Sequence, residues 1–369
     1  MKRIVICTDQ IYLHGGIEKV MATKVNYWAN LPNVEVIIIT SEQKNQPPRY
    51  QLDPKVQMID LGVNYNRQKS YFTGENVLKA VKHFSRQKNL LKKLQPQAMI
   101  SPSFSFDHFW LPFIKSEAIL IKERHSSRYS DEEARQNPSL IKKIKMGFFD
   151  WIESRYNYIV VLNNDEQRYV HTGNAVVIPN PISLSDEFAK LENKQVIAAG
   201  RISPVKQFDL LIDAWALVYQ SQPDWQLHIY GEDYLDTKAK LDQKIIDLGL
   251  NEVIKIKNSV PSLETILSDY SIYAMTSESE CFPTVLLEAL SMGVPVVSFD
   301  CPNGPRNIIL DGQDGVLVSQ YDIQSFALAM IDMMQNQSKR QKMGTYAKQN
   351  VKRFSTQNVM GQWQQLLKI

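Results

Sequence analysis

Two glutamates eight positions apart, Glu280 and Glu288, enclose an uncharged segment in the second half of the sequence. The preceding run SIYAM is typical of a strand, and PTVLLEALS is typical of a helix that stops at Gly293. Pro283 suits the first helical position, where its missing N–H group would be unpaired in any case. A helical rise of about 1.5 Å per residue then predicts carboxylates about 8–12 Å apart.

The start of this helix is where a ligand is expected. Ligands of open α/β sheets bind beyond the carboxyl ends of the strands, and the amides and dipole at a helix N-terminus favour phosphate. The residues predicted to contact phosphate are Phe282, Pro283, Thr284 and Val285. A nucleotide sugar, with hydroxyls at both ends and a diphosphate between them, fits this pattern of two acids around an uncharged gap.

Cations for the diphosphate are predicted in QVIAAGRISPVKQFD, where Arg201 and Lys206 follow a strand and a glycine. Arginine offers a planar fork to phosphate oxygens, and lysine offers a mobile point charge. The sequence holds no D-x-D pair, so we expect no metal and no other cofactor. The two cations and the helix start would then do what Mg²⁺ does in metal-dependent transferases.

The glycine pair Gly15–Gly16, in DQIYLHGGIEKVM after the first predicted strand, precedes a helix. Glycine lets backbone approach a ligand closely, although such a pair taken alone more often marks a simple turn. The spacing is not G-x-G-x-x-G, which argues against a nicotinamide oxidoreductase.

The elements that must position these residues alternate between strand and helix along the chain. Alternation of this kind predicts an α/β protein with parallel sheets covered on both faces, and two series predict two doubly wound domains. The predicted strands are RIVICTD, VEVIIIT, VQMIDLG, AMISPSF, AILIKER, YIVVLN, QVIAAG, QLHIYG, VIKIKN, SIYAM, PVVSFD and GVLVS. The predicted helices include FDLLIDAWALVY and DTKAKLDQKIIDLGL.

A hinge is predicted at VVIPNPI, because two prolines around Asn180 cannot continue a helix. The predicted domains are residues 1–180, joined by a final helix at 355–369, and residues 181–354. In the final helix, one side would hold Val359, Trp363, Leu366 and Leu367.

Composition indicates a globular protein: 369 residues with 44% hydrophobic and 22% charged residues suit two domains. We expect neither a signal peptide nor a membrane helix. Three scattered cysteines exclude a disulfide framework and favour a reducing, cytoplasmic setting.

The two halves of the chain carry opposite net charges. Residues 1–180 hold 25 Lys+Arg and 17 Asp+Glu, a net charge of +8, and the remaining residues hold 17 Lys+Arg and 22 Asp+Glu, a net charge of −5. The basic half suggests an anionic partner.

Lysines are mixed with large apolar residues at helical spacing in KHFSRQKNLLKKL (82–94) and LIKKIKMGFFDWI (140–152). One interpretation is the solvated face of an ordinary amphipathic helix. The other is peripheral docking onto anionic lipid at the inner face of the plasma membrane. No recognised nucleic-acid module is present, and the second half is acidic, so nucleic acid is not an expected partner.

These motifs together resemble a GT-B-fold retaining glycosyltransferase of family 4. The resemblance extends over the whole chain: GGIEKV, VIPNPI, GR-x4-K at Gly200–Lys206, E-x7-E at Glu280–Glu288, GVPVVSFDCPNGPRNII and DGQDGVLV. It implies two Rossmann-like domains facing across a cleft, the first binding the acceptor and the second the donor. SFDCPxGPxxII is similar to bacterial enzymes that build surface polysaccharides, lipooligosaccharides or lipid-linked glycans. The implied donor is a nucleotide sugar, with uridine as the expected base.

The resemblance also implies roles for single residues. Glu280 would hold the transferred hexose or N-acetylhexosamine, Glu288 the ribose, and Arg201 with Lys206 the diphosphate. Gly16 would let the first domain approach the diphosphate, and the loop from Asn258 to Val260 would meet the base. Relatives have glycine where Cys281 stands, which leaves the donor sugar open.

His125, in IKERHSS, matches a position where relatives place a polar residue facing the sugar, with His14 as a rival. A structural or solvated histidine remains an alternative, and Glu123 with Arg124 is expected to form an ion pair.

Two other functions remain open: a nucleotide-sugar epimerase of the same fold, and a degenerate transferase that serves as a partner subunit. The intact Arg201, Lys206 and glutamates argue against decay.

Overall fold

The computed structural model describes residues 1–70, 72–102 and 105–369 of the chain. They form two compact units, Met1–Pro181 with Thr356–Ile369, and Ile182–Ser355. The predicted boundaries, after residues 180 and 354, each lie one residue earlier.

The first unit is built on a parallel sheet with the strand order β3-β2-β1-β4-β5-β6-β7. Helices α1 and α12 pack on one face through Trp28 and Trp363, and α2 and α4 pack on the other through Leu91 and Ile152. Its strands are β1 Lys2–Thr8, β2 Val34–Thr40, β3 Gln57–Asp60, β4 Ala98–Ser101, β5 Ile119–Glu123, β6 Tyr158–Val161 and β7 Ala175–Val177. Its helices are α1 Gly16–Ala29, α2 Gly74–Leu94, α3 Tyr129–Gln136, α4 Leu140–Glu153, α5 Asn164–Arg168 and α12 Thr356–Leu367, with 3₁₀ turns at Phe106–Phe109 and Leu111–Phe113.

The second unit repeats this topology with the order β10-β9-β8-β11-β12-β13, again all parallel. Trp215 of α6 and Phe326 of α10 are fully buried in its core. Its strands are β8 Gln195–Ala199, β9 Gln226–Tyr230, β10 Ile254–Lys257, β11 Ile272–Met275, β12 Val296–Phe299 and β13 Gly315–Val318. Its helices are α6 Phe208–Tyr219, α7 Thr237–Asp247, α8 Glu264–Leu267, α9 Thr284–Ser291, α10 Ile323–Gln335 and α11 Gln337–Asn350.

The two doubly wound α/β sheets confirm the predicted fold class, and each of the twelve predicted strands is present. The prediction AMISPSF was too long, because β4 ends at Ser101 and residues 103–104 lie outside the described chain. β7 was missed: Ala175–Val177 pairs with β6 at the sheet edge, but three residues ahead of a proline give no periodic signal. The final helix buries Val359, Trp363 and Leu367 and half-buries Leu366.

The interpretation of an ordinary amphipathic helix with a solvated face describes the lysine-rich segment of α2 and does not account for the exposed apolar residues of α4. In residues 82–94 of α2, His83, Gln87 and Leu91 are buried and the lysines face solvent, as in an ordinary amphipathic helix. In α4 Ile152 is buried, but five large apolar side chains are exposed: Leu140, Ile141, Ile144, Phe148 and Trp151. None of the helices in the described parts of the chain combines the length and apolar character needed to cross a bilayer.

Candidate active site

The second sheet gathers most of the predicted site residues at one edge. Because its strands are parallel, the loops after them meet at the same, carboxyl edge. The loop after β8 holds Arg201 and Lys206, the loop after β10 holds Val260, and the loop after β11 holds Glu280 and leads into α9. This edge is the candidate active site of the second unit.

Lys206 and Glu280 form a direct ion pair in this site. The lysine Nζ lies 2.5 Å from Glu280 Oε1, and both side chains are partly buried. Ser277 Oγ donates to the same carboxylate oxygen at 2.8 Å. The sequence assigned the lysine to phosphate and the glutamate to sugar without foreseeing that they contact each other. A diphosphate bound here would compete with Glu280 for the ammonium.

The loop that carries Lys206 is tied to the end of β11. Thr276 Oγ1 donates to the carbonyl oxygens of Lys206 and Gln207, at 3.2 and 3.0 Å, and the Glu278 N–H donates to the Val205 carbonyl at 2.8 Å. These bonds fix the ammonium relative to the carboxylate. Thr276 and Ser277 were not predicted, because a hydroxyl after a strand carries no distinctive sequence signal.

Two glycines let the loops after β8 and β9 touch. A Cβ on Gly231 would lie 2.0 Å from the Gly200 carbonyl oxygen, and Gly200 itself has φ +154°. A side chain at Gly231 would separate the strand ends that present Arg201, and a Cβ on Gly200 would lie 3.0 Å from Lys206 Cε. Gly231 was read only as the end of the strand QLHIYG; a glycine closing a buried strand at the ligand edge is the signal that could have identified it.

A third loop, after β12, supports the backbone of Glu280. The Glu280 N–H donates to the Pro302 carbonyl at 2.8 Å, and the Asn303 N–H donates to the Glu280 carbonyl at 2.7 Å. A Cβ on Gly304 would lie 2.6 Å from Pro283 Cδ. The CPNGP segment therefore positions both the acid and the residue before α9.

Arg201 lies exposed at the same edge, with its guanidinium 4.7 Å from the ring centre of Tyr234. The Ile202 N–H donates to the Glu232 carbonyl at 2.8 Å, and the Tyr234 N–H donates to the Ile202 carbonyl at 2.9 Å. The loop after β9 therefore supplies an aromatic platform for the cation, which the sequence did not reveal.

The predicted base-contacting loop lies beside this platform. Ser259 Oγ donates to Glu232 Oε1 at 2.8 Å, which ties the loop after β10 to the loop after β9. The neighbouring Val260 is half-buried. The hydrogen bond therefore holds the loop after β10 against the loop that carries Tyr234.

The helix α9 begins one residue later than predicted. Pro283 has extended backbone (ψ 105°) and precedes the first helical residue, Thr284; Val285 follows it in the first turn. The locked φ of proline suits either position, so the sequence could not distinguish them. Phe282 is buried against Phe354, at 5.3 Å between ring centres, and Cys281 is also buried.

Glu288 is buried within α9, one turn further along. Burial raises the pKa of the Tyr273 phenol, and the charges of Glu288 and Glu280 add to this rise. Burial, followed by the charge of Glu280, raises the pKa of Cys301 to about 12. Both glutamates therefore act electrostatically on the interior beneath the site.

In the described residues, no group of three or more His, Cys, Asp and Glu side chains lies close enough to hold a metal ion. The expectation that the site works without metal stays a prediction.

His125 lies at the carboxyl edge of the first sheet, directly after β5. Its Nε2 lies 3.0 Å from Glu123 Oε2, and the other oxygen of Glu123 lies 2.5 Å from Lys24 Nζ. The predicted Glu123–Arg124 pair is wrong. Arg124 pairs with Glu153 instead, because successive residues of a strand point to opposite faces.

The glycine pair opens α1 in the same unit. Gly15 precedes the helix and Gly16 is its first residue. A Cβ on Gly15 would lie 2.3 Å from Glu18 Oε2, so the carboxylate that folds back over the helix start explains the glycine there. His14 is exposed, with its ring 6.1 Å from that of Tyr50.

Known proteins resemble this chain in the sequence of its second unit and in its fold. Residues 181–350, nearly the whole second unit, match the family model Glycosyl transferases group 1. One similar solved structure is a mutant of S. aureus TarM in complex with Fondaparinux, alpha-GlcNAc-glycerol and UDP. Its TM-score to this chain is 0.79, at 15% identity over 100% of both chains. Sucrose-phosphate synthase from Thermosynechococcus elongatus gives a TM-score of 0.82 at 15% identity, over 100% of this chain and 98% of that one. The fold is that of the GT-B glycosyltransferases, and the second unit matches a glycosyltransferase group 1 domain.

Curated relatives share part of their length with this chain. The amylovoran biosynthesis glycosyltransferase AmsD of Erwinia amylovora is 28% identical over 240 residues, 62% of this chain and 65% of that protein. The poly(ribitol-phosphate) alpha-N-acetylglucosaminyltransferase of Staphylococcus aureus (strain COL) is 27% identical over 219 residues, 57% of this chain and 43% of that protein. An exopolysaccharide phosphotransferase of Streptomyces coelicolor is 31% identical over 179 residues, 48% of this chain and 19% of that protein. The chain therefore spans less than two thirds of the length of each.

Proposed function

We propose that the protein is a retaining glycosyltransferase of family 4. It transfers a hexose or N-acetylhexosamine from a nucleotide sugar, with uridine as the base, to a glycan or lipid-linked glycan in bacterial surface polysaccharide synthesis. The observation that supports this most is the carboxyl edge of the second sheet, where Arg201, the Lys206–Glu280 pair and the start of α9 lie together in a glycosyltransferase group 1 domain.

The cations act on the leaving group. A donor diphosphate accepts hydrogen bonds from Arg201, from Lys206 and from the first amides of α9, which stabilise the negative charge that grows as the sugar departs. Glu280, released from Lys206, accepts from hydroxyls of the sugar. Glu288 accepts from the ribose.

The transfer is a front-face displacement. The acceptor oxygen forms a bond to the anomeric carbon on the face from which the diphosphate leaves, and the electron pair of the broken carbon–oxygen bond passes to the diphosphate. The departing phosphate oxygen takes the proton of the acceptor hydroxyl. Positioning and leaving-group stabilisation then supply most of the rate enhancement, without a separate strong base.

The acceptor class and the compartment are supported by several observations. One relative is named for amylovoran biosynthesis, another as a poly(ribitol-phosphate) alpha-N-acetylglucosaminyltransferase and a third for exopolysaccharide, and these names support a polymer acceptor. The three cysteines are buried and unbridged, which suits the reducing cytoplasm where we place the reaction. The first unit, with His125 at its carboxyl edge, binds the acceptor.

A panel of nucleotide sugars, each tested with and without a polyol-phosphate or glycan acceptor, tests this proposal. We expect one donor to raise the melting temperature and to release nucleoside diphosphate in an acceptor-dependent manner, with retention at the anomeric carbon. Acceptor-independent turnover would instead indicate an epimerase. Binding of no donor at any concentration would indicate a degenerate subunit.

A further inference from the structure

Helix α4 carries a stripe of large apolar side chains on its outer side. Their exposed fractions run from 44% to 80%. The members of this α4 stripe are Leu140, Ile141, Ile144, Phe148 and Trp151. At about 100° per residue, all five fall within a sector of about 100° on one side of the helix. Single exposed apolar residues are common on proteins, but a contiguous group of this kind marks a surface that contacts something other than water.

Lysines border the stripe. On the same helical wheel Lys143 lies on one side of it and Lys145 on the other, and Lys142 lies further round. The acidic residues of α4 are neutralised within the unit, because Asp150 binds Arg135 at 2.7 Å and Glu153 binds Arg128 at 2.9 Å. The outer side of α4 is therefore both apolar and cationic.

Aromatic rings extend the surface beside α4. Phe113, half exposed, stacks on Trp151 with 5.3 Å between ring centres, and Phe148 lies 6.1 Å from Trp151 and 6.1 Å from Phe109. The Arg155 guanidinium lies over the Trp151 ring, 5.3 Å from its centre. Aromatic rings with a neighbouring cation are typical of side chains at a membrane–water boundary.

The direction of α4 relates this surface to the acceptor edge. The helix ends at Glu153, and only four residues separate it from the start of β6 at Tyr158. Its first turns, with Leu140, Ile141 and Ile144, therefore lie toward the carboxyl edge of the sheet, the edge that carries His125.

We propose that the α4 stripe docks the first unit onto an anionic lipid bilayer, with the apolar residues in the headgroup–acyl boundary and the lysines at the lipid phosphates. A bilayer fits better than a protein groove because the apolar residues and the cations occur on one convex helix side. The net charge of +8 over residues 1–180 gives the attraction the right sign. This docking does not require the transferase chemistry, so the two can fail separately.

Flotation of the full chain with lipid vesicles tests the docking. We expect binding to vesicles of phosphatidylcholine with phosphatidylglycerol and little binding to phosphatidylcholine alone. The double variant Ile141→Asp/Ile144→Asp should lower the partition coefficient at least tenfold, and each of K143Q and K145Q, which remove the lysines that border the stripe, should lower it about fivefold at low salt. The matched control is Ile246→Asp on α7 of the second unit, where an equally exposed apolar residue (60%) should be replaceable without effect.

Sedimentation velocity and donor binding complete the test. The melting-temperature shift with the best donor should be the same in the double variant and in the wild-type chain, which shows that the fold and the donor site are intact. Equal vesicle binding by wild type and double variant would overturn the proposal. So would a dimer that the double variant abolishes, because the stripe would then be covered by a second copy of the chain.

Discussion

The carboxyl edges of the two sheets share a topology and use their charged residues in opposite ways. In the second unit Arg201 is exposed and the Lys206–Glu280 pair is only partly buried, with side-chain exposures of 19% and 15%. In the first unit Lys24 and Glu123 are 4% and 3% exposed. One edge keeps its charges within reach of a ligand, and the other uses them to hold its own elements together.

The buried pair of the first unit also joins the two ends of the chain. The Lys24 Nζ of α1 lies 4.0 Å from the ring centre of Trp363 in α12 and is paired with Glu123 on β5. Burial alone would raise the pKa of Glu123, but the charges of Lys24 and His125 bring it down to about 2. The contrast suggests that substitutions will cost stability at the first edge and donor binding at the second.

Lys24→Met should produce the largest effect. It leaves Glu123 buried with only His125 as a partner, and breaking a buried ion pair costs about 3–5 kcal/mol of unfolding free energy. Chemical denaturation should register this loss. Lys194→Met removes the exposed pair with Asp224 and should cost less than about 1 kcal/mol; equal losses in the two variants would remove the distinction between a structural and an accessible charge.

Lys206→Ala should lower acceptor-dependent release of nucleoside diphosphate about 10²–10³-fold, because it removes one stabilising donor from the leaving group. Stability should change little in comparison with Lys24→Met. Lys244→Ala, which removes a pair with Asp213 on the same unit, should leave turnover unchanged. A turnover by Lys206→Ala close to that of the wild type would show that the second edge is not the reacting one.

The pH dependence of stability should differ between wild type and Glu123→Gln. Because the folded pKa of Glu123, about 2, lies below its ordinary value of 4.5, the ionised group stabilises the fold above pH 4.5. That contribution is lost as the pH falls from 4.5 toward 2. Denaturation across this window should show the wild type losing its advantage over the variant; a constant difference would contradict the assignment.

Tyr234→Ala should have the smallest effect. The ring lies under the Arg201 guanidinium, and a partly exposed cation–π contact contributes about 1 kcal/mol. We expect the donor KM to rise about fivefold with kcat nearly unchanged. Tyr234→Phe, which keeps the ring, should restore the KM; an equal KM in all three proteins would show that Tyr234 does not position Arg201.

Much of the fold could be predicted because parallel strands buried on both faces are continuous apolar runs, such as VEVIIIT for β2. The strand β7 could not, because three residues at a sheet edge owe their conformation to the neighbouring strand rather than to their own pattern. The start of α9 was placed one residue early because proline satisfies both backbone states.

The candidate site also contains residues that the sequence predicted and residues that it did not. The sequence singled out four charged residues by their spacing. Arg201, Lys206 and Glu280 follow apolar strands, and Glu288 lies eight positions after Glu280. The supports, Ser277, Thr276 and Tyr234, come from loops whose contacts depend on tertiary geometry. The partners of Glu123 lie 99 residues away at Lys24 and two residues away at His125, so a neighbour in sequence such as Arg124 was the wrong choice.

Calorimetric titration of the nucleoside diphosphate released from the best donor tests the central claim most directly. We predict that Arg201→Ala and Lys206→Ala each weaken its binding at least tenfold. Glu280→Gln, which frees the lysine from its carboxylate, should bind as well as the wild type or more tightly while losing transfer. Wild-type affinity in both alanine variants would contradict the claim that this sheet edge binds the diphosphate.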